Sequence, residues 1–507
     1  MWYLYAAQQQ LAGTMLYGPH LVDTNPPLII WFSTVPVLIS RLLHIRPDAG
    51  LNGILAIMIL GSVLWSVRIL RKTPQGLSAS YVALLGCAVI VAEFAQFVGT
   101  RLHFAGFQIA GYSLGQREHL LVILIFPYVL ARATRAAQHL GWAERCALGI
   151  AAGIGICFKP QQALILVALE LFFVLYTRRP RHVLTPEALA AVLIGVCYVL
   201  LVRLVTPVYI TQIMPLLRDT YGAFGGLSLK FIYQGNRRNA ASLLVSVAAS
   251  LLLLHRLRDR VTVYALLACV SGATAAFLLQ HKGWMYQFRP VSAFYLFLLI
   301  YVICGVLEPV LRRLDAEWPK RPVLATAALT CVVALLLVQT LDIRKNMALA
   351  PASFEQLPAA DDLFAQLTPG TPVYVLSATL AVFPTVYRHH LGWGGRFPCL
   401  WMLPAIIRNE TGSTEPGIPF KRLPPENVVS LANLQRTDTA EDLDYWRPAV
   451  ILVEQCNASH PCSFFLLKGY DFDMLAWFLK SAQFRSAWSH YQQQSPIPGF
   501  TVYRRID

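Results

Sequence analysis

The chain has 507 residues, of which 56% are hydrophobic and only 14% charged, with a mean hydropathy of +0.52. Soluble domains carry about a quarter charged residues, so this composition excludes an ordinary soluble protein and predicts a polytopic membrane protein. The net charge of +15 does not indicate a nucleic-acid face. Most Lys and Arg of the first 345 residues sit at the ends of apolar runs, which is membrane topology.

In chain order, Met1 to Tyr17 reads as one amphipathic helix and runs into Gly18-Pro19-His20-Leu21-Val22-Asp23-Thr24-Asn25-Pro26-Pro27. Asn25-Pro26-Pro27 predicts an extended turn and a helix start, because Pro suits a first helical turn. The apolar stretch 26–45, interrupted by Pro36 and flanked by Arg41 and His44, reads as a juxtamembrane helix. No basic n-region with a small-residue cleavage site marks a signal peptide. Ten spans follow, near 51–69, 79–99, 118–135, 143–159, 161–177, 185–205, 240–256, 261–280, 291–310 and 322–341. The fourth is the weakest, since Gly and Ala dilute it.

Arg68, Arg71 and Lys72 follow the first span, and Arg132, Arg135 and Arg145 the third. Arg178, Arg179 and Arg181 follow the fifth, Arg256, Arg258 and Arg260 the seventh, and Arg312, Arg313, Lys320 and Arg321 the ninth. These loops share one side, which the positive-inside rule makes cytoplasmic. The first thirty residues and the C-terminal part are then expected outside. Domain boundaries are expected at 1–345 for the membrane region, with 1–50 as outer juxtamembrane helices, and 346–507 for a small α/β domain. In the latter, 372–377, 449–454 and 500–506 read as strands and 471–484 as a helix. Cys456 and Cys462 enclose a loop short enough to close, and a disulfide is expected between them in an oxidising compartment, with Cys399 free. Seven further cysteines lie in or beside apolar runs without metal-type spacing.

Charged groups at membrane depth cost about 3 kcal/mol each and usually mark function. Four expected outer loops carry them. The first holds Asp23 and Asn25. The second is Gly115-Gln116-Arg117-Glu118-His119-Leu120, four polar side chains entering a membrane helix. Glu118 and His119 are candidate ligands of a divalent metal (Mg or Mn), or orient an acceptor and a phosphate. The third is Phe158-Lys159-Pro160-Gln161, where a Lys beside a helix break suits a lipid phosphate. The fourth, 280–290, places Lys282, Trp284 and Arg289 in one short loop. His20, His103 and Glu93 stand alone and are not expected to act as ligands.

Residues 3–40, the Gly115–Leu120 string with Pro127-Tyr128 behind it, the Lys159-Pro160 pair, the Lys282-Gly283-Trp284 string and, more weakly, Arg396 to Pro404 resemble the GT-C class of membrane glycosyltransferases. The resemblance is to the family 39-like group that includes protein mannosyltransferases and aminoarabinose transferases. It implies an α-helical polytopic GT-C-like fold of about ten spans with an extracytoplasmic α/β domain. It implies inverting transfer of a hexose or pentose from a polyprenyl-phosphate carrier to a lipid, protein or glycan acceptor at the outer face of a bacterial inner membrane. Glu118 is then the first candidate base and Asp23 the second. Asn25, Gln116, Arg117, His119, Lys159, Lys282, Trp284 and Arg289 bind substrate, with Lys159, Lys282, Arg289 and Arg117 on the phosphate. Family members place their main acid just before the helix that here starts at Met1, so a chain starting there is expected to lack that Asp and the first membrane helix. The alternatives are a catalytically impaired relative or a transporter or flippase for a lipid-linked sugar, although no internal repeat favours the latter.

Overall fold

The computed structural model describes residues 1–94, 115–221, 226–317, 357–380, 382–412, 422–456 and 472–507. The chain divides into two compact units: Met1–Gly50, Val202–Leu227 and Ala350–Asp507 form one, and Leu51–Leu201 with Ser228–Leu349 form the other. Residues 1–50, grouped from sequence with the membrane region, thus fall in the unit that holds the sheet.

The second unit is helical throughout its described residues. Among the described residues of the chain, six helices are long and apolar enough to cross a bilayer: Pro47–Leu70, Pro160–Thr177, Pro186–Val205, Leu229–Arg256, Arg260–Leu279 and Tyr286–Arg313. Three more of the expected spans are helices of 16 or 17 residues, Ala79–Phe94, Arg117–Ala133 and Trp142–Phe158. The tenth, 322–341, lies outside the described residues. The seventh helix starts well before its apolar run, at Leu229, because the Ser228 hydroxyl accepts the Phe231 N–H and caps it. It is kinked at Asn236, where φ is −121°. The Asn236 amide donates to the Ile232 and Gly283 carbonyls at 3.1 and 2.8 Å.

The dilution of Trp142–Phe158 by small residues has a packing purpose. A Cβ on Gly149 would lie 2.1 Å from the Glu187 carbonyl oxygen, and one on Gly153 2.8 Å from that of Ala191. Two glycines four apart on one face let this helix press its backbone against Pro186–Val205. In lipid, where burying apolar surface adds little, such close van der Waals packing is a main source of helix association. At the Arg-rich ends, several of the basic residues that follow the apolar runs are paired. Arg132 donates to both oxygens of Glu170 at 2.8 and 2.5 Å and reaches Glu187, which also takes Arg145 at 2.8 Å. The Tyr128 hydroxyl donates to Glu170 as well.

The first unit carries a five-stranded sheet of order β2-β1-β3-β5-β4, with β1 Pro372–Leu376, β2 Gly392–Trp393, β3 Val450–Glu454, β4 Tyr491–Gln493 and β5 Phe500–Arg505. β1 pairs parallel with β2 and β3, and β5 pairs antiparallel with β3 and β4. β3 is buried along its whole length, as expected of a central strand covered on both faces. The helix expected over 471–484 is two short ones, Met474–Phe478 and Ala482–Trp488. Asp473 and Ser481 each cap one of them, and the second cap ends the run. Cys456 is disulfide-bonded, whereas Cys462 lies outside the described residues. Cys399 is a free, half-buried residue whose thiol is pushed up to about 12 by desolvation with help from the Asp23 and Glu454 charges.

The N-terminal helix is shorter than expected. It spans Trp2–Leu11 and stops before Gly13, whose φ of +98° is left-handed. Trp2 and Tyr5 pack edge-on against Phe383, and the Tyr5 hydroxyl accepts the Trp393 N–H at 2.9 Å. The helix expected over 26–45 follows as Leu28–Leu42.

Arg396 ties these parts together. Its guanidinium donates to Asp442, Asp438 and Glu441 at 2.9, 2.7 and 2.7 Å, all on helix Pro425–Trp446, while its carbonyl accepts the Val22 N–H at 2.7 Å. Three carboxylates around one guanidinium leave excess negative charge in a buried site. Burial, opposed by Arg396, holds Asp442 up at about 7 and Asp438 at about 6. A carboxyl raised above its unfolded value of 3.8 binds more protons in the folded state, so its stabilising contribution is present at acid pH and is lost as pH rises toward 7. Thermal unfolding of wild type against Asp442→Asn should therefore show wild type gaining relative stability as pH falls from 8 to 5; a pH-independent difference would contradict this origin. Gly153→Leu should destabilise the helical unit by about 1–3 kcal/mol or more in denaturant titrations. Gly195→Leu, with nothing within 4 Å of its Cβ, should be tolerated.

Candidate active site

In the helical unit the second, third and fourth sequence strings converge. Gly115 turns the chain with φ +72° into Gln116, the extended residue that precedes helix Arg117–Ala133. The Gln116 carbonyl accepts the His119 and Leu120 N–H groups, and the Gly115 N–H donates to His119 Nδ1 at 3.2 Å. Glu118 thereby enters the first turn, where a carboxylate is favoured by the helix dipole. It is 0% exposed.

Helix Trp142–Phe158 ends at Lys159, whose backbone (φ −148°, ψ 78°) is no longer helical, and Pro160 opens a 3-10 turn into Ala163–Thr177. The break turns the Lys159 ammonium onto Glu118 Oε1, with which it forms a buried ion pair. Glu118 Oε2 is buried without a hydrogen-bond partner. Arg117 lies within electrostatic reach of Glu118, Lys159 and Lys282, and Arg289 of Glu118 and His119.

The loop 280–288 forms one wall. His281 and Gly283 both have left-handed backbones, at φ +48° and +64°. Lys282 sits over the Trp284 ring at 4.8 Å, and Trp284 stacks on Tyr286 at 5.8 Å. Lys159 lies over the Tyr286 ring at 5.5 Å. Burial, with the positive charges of Lys159 and Arg117, pushes Lys282 down to about 8. Four cations, two aromatic rings and one carboxylate thus share one region. An incoming phosphate would find charge, and an ion pair already in place to receive it.

Sequence reasoning did not single out Asn236 or Gln162, and it placed Tyr286 and Gln287 in the 280–290 loop without giving either a role. Gln162 is 0% exposed with neither side-chain polar atom hydrogen-bonded, and Gln287 is 2% exposed with its carbonyl unpartnered. The signal for Gln162 was its place three residues after Lys159, beside Gln161, just before an apolar run.

Asp23 and Asn25 lie in the other unit. Asp23, 1% exposed, accepts the Trp2 indole N–H and the Asn25 N–H, each at 2.6 Å. The Asn25 amide donates to the Tyr3 hydroxyl at 3.2 Å, and the Tyr17 hydroxyl donates to the Asn25 carbonyl at 2.5 Å. The turn is thus held by the helix before it, through Trp2 and Tyr3, which sequence reasoning did not single out. Of the solitary residues, His20 stacks on Tyr445 at 3.5 Å, Glu93 meets the Ser62 hydroxyl at 2.5 Å, and His103 lies outside the described residues.

The metal expected at Glu118 and His119 does not fit the described residues. No group of three or more His, Cys, Asp or Glu side chains able to hold an ion occurs among them. The one carboxylate of the cluster is taken by an ammonium, and the surrounding cations would repel a divalent ion.

No family model matches the chain, and no curated protein matches it. A structure that does match is ArnT from Cupriavidus metallidurans bound to undecaprenyl phosphate. The likeness covers 99% of this chain and 93% of that one, with a TM-score of 0.54 at 12% identity. At that identity it shows the fold: a multi-pass membrane protein with a GT-C-like helical arrangement and a small C-terminal sheet region.

Removing one partner of a buried ion pair strands a charge and costs about 3–5 kcal/mol, whereas replacing both can be neutral. Lys159→Met should therefore lower the unfolding temperature sharply. The double substitution Glu118→Gln with Lys159→Met should restore most of it. Equal losses in single and double variants would show that the pair carries no such energy.

Proposed function

We propose that this chain is a membrane glycosyltransferase that moves a hexose or pentose from a polyprenyl-phosphate carrier to an acceptor hydroxyl, with inversion, at the outer face of a bacterial inner membrane. Its finer kinship would be with the family 39-like and aminoarabinose transferases. The observation that carries the reading is the buried Lys159–Glu118 pair among Arg117, Lys282 and Arg289. The GT-C-like fold supports it, and so does the carrier phosphate bound by ArnT.

In this reading the acceptor oxygen attacks the anomeric carbon from the face opposite the carrier. The bond from that carbon to the phosphate oxygen breaks, and its electron pair leaves on the phosphate. Lys159, Lys282 and Arg289 stabilise that growing charge where little water competes. The acceptor proton passes to a carboxylate. Glu118 Oε2, buried without a hydrogen-bond partner, is the first candidate, and Asp23 is the second. Trp284 and Tyr286 would present apolar ring faces to the first isoprene units or to the sugar.

The test is transfer from a panel of radiolabelled polyprenyl-phosphate sugars by the chain in bacterial membranes. Transfer is expected to fall by roughly a hundredfold or more in the folded Glu118→Gln/Lys159→Met double variant. Undecaprenyl phosphate bound through Lys159 but no transfer would favour an impaired relative or a carrier-lipid transporter. Neither binding nor transfer would overturn the reading.

A further inference from the structure

The unit that carries the sheet holds a cavity of about 380 Å³, within the size range of small-molecule pockets. It lies where β2 forms an edge of the sheet, and its wall includes Gln8, Gln9, Arg46, Asp48, Tyr387 and Trp446. None of these residues belongs to the cluster around Lys159.

Two features of the wall are costly to the fold. The Tyr387 hydroxyl and the Trp446 indole N–H are both buried without a hydrogen-bond partner. Leaving such groups unmet costs about 1–3 kcal/mol each, and native structures rarely tolerate it without a reason. The backbone at the rim is also strained. His390 has φ +55°, and its carbonyl accepts the N–H of Gly370, at φ +87°, across 2.8 Å. A non-glycine residue in that region is uncommon, and such strain concentrates at binding sites.

The chemistry of the wall narrows the class. Arg46 and Asp48 form a planar fork, with Nε to Oδ1 at 3.0 Å and Nη2 to Oδ2 at 3.1 Å, that presents donors and acceptors side by side. Gln8 and Gln9 each bring an amide that can both donate and accept. Tyr387 and Trp446 bring ring faces. The cations near the cavity are compensated, Arg46 by Asp48 and Arg388 by Asp361 at 3.1 Å. An anion would gain little there, and a purely apolar ligand would leave the Gln8 and Gln9 amides unmet. A pyranose has what this wall lacks: an apolar C–H face and a ring of hydroxyls that both donate and accept.

We propose that this cavity is a saccharide-binding site for one or two neutral sugar units, a docking site rather than a reaction centre. It stands whether or not the chain transfers a sugar. The test titrates the full-length protein in detergent with the methyl glycosides of glucose, galactose, mannose and N-acetylglucosamine, with glucuronate and inorganic phosphate alongside. Binding is read by tryptophan fluorescence and saturation-transfer NMR. Saturable binding of at least one neutral glycoside is expected. It should weaken by roughly tenfold or more in Trp446→Ala and in Gln8→Ala/Gln9→Ala, and persist in the Glu118→Gln/Lys159→Met variant. Trp446 also packs on Tyr445 at 4.9 Å, so the half-exposed glutamines provide the variant that leaves the fold intact. Three outcomes would overturn the proposal: no glycoside bound by the folded wild type, binding of glucuronate or phosphate alone, or binding that survives the glutamine and tryptophan changes but is lost with Lys159.

Discussion

A lysine ammonium cannot remain charged in the interior of a helical membrane unit unless something of opposite sign meets it there. In this protein that partner is Glu118, and the arrangement of the helical unit near the site follows from bringing the two together. The carboxylate needs the first turn of one helix, which Gly115 and Gln116 begin. The ammonium needs a second helix to stop at Lys159 and a third to restart at Pro160. Once the pair exists, Arg117, Lys282 and Arg289 can gather near it, because one negative charge softens the repulsion among the cations.

Such a cluster is costly as architecture and useful as a receptor. Buried ion pairs rarely stabilise a protein more than apolar packing would. Holding several cations around one carboxylate makes sense where an anion is to be received, since the incoming charge relieves repulsion that the folded protein has already accepted. The aromatic rings of Trp284 and Tyr286 stand over the two lysines and lessen the cost of holding them.

Much of this was legible in the sequence, and the reasons differ from residue to residue. The strings around Glu118, Lys159 and Lys282 stood out because polar residues at membrane depth are rare, and the structure brings all three strings into one unit. Length and apolarity were enough to mark nine of the ten helices, with 322–341 outside the described residues. What escaped depended on partners distant in sequence. Arg132, Arg135 and Arg145 stood out only as charges at the ends of apolar runs, yet their carboxylates, Glu170, Asp259 and Glu187, come from distant parts of the chain. The glycines of Trp142–Phe158 looked like weakness until a neighbouring backbone was seen against them. Arg396 gave no hint of its role, because its three carboxylates lie more than forty residues further on. β2 and β4, of two and three residues, are too short for any alternating pattern to register.

Asn236 has a wider consequence. Its single amide group spans a gap in its own helix and, at the same time, holds the carbonyl of Gly283 in the loop that carries Lys282 and Trp284. Helix and loop therefore share one fastening. The loop cannot swing away without breaking its bond to that amide, which is then left with Ile232 alone. The irregular turn of a helix of 25 residues thus doubles as the peg on which one wall of the cluster hangs.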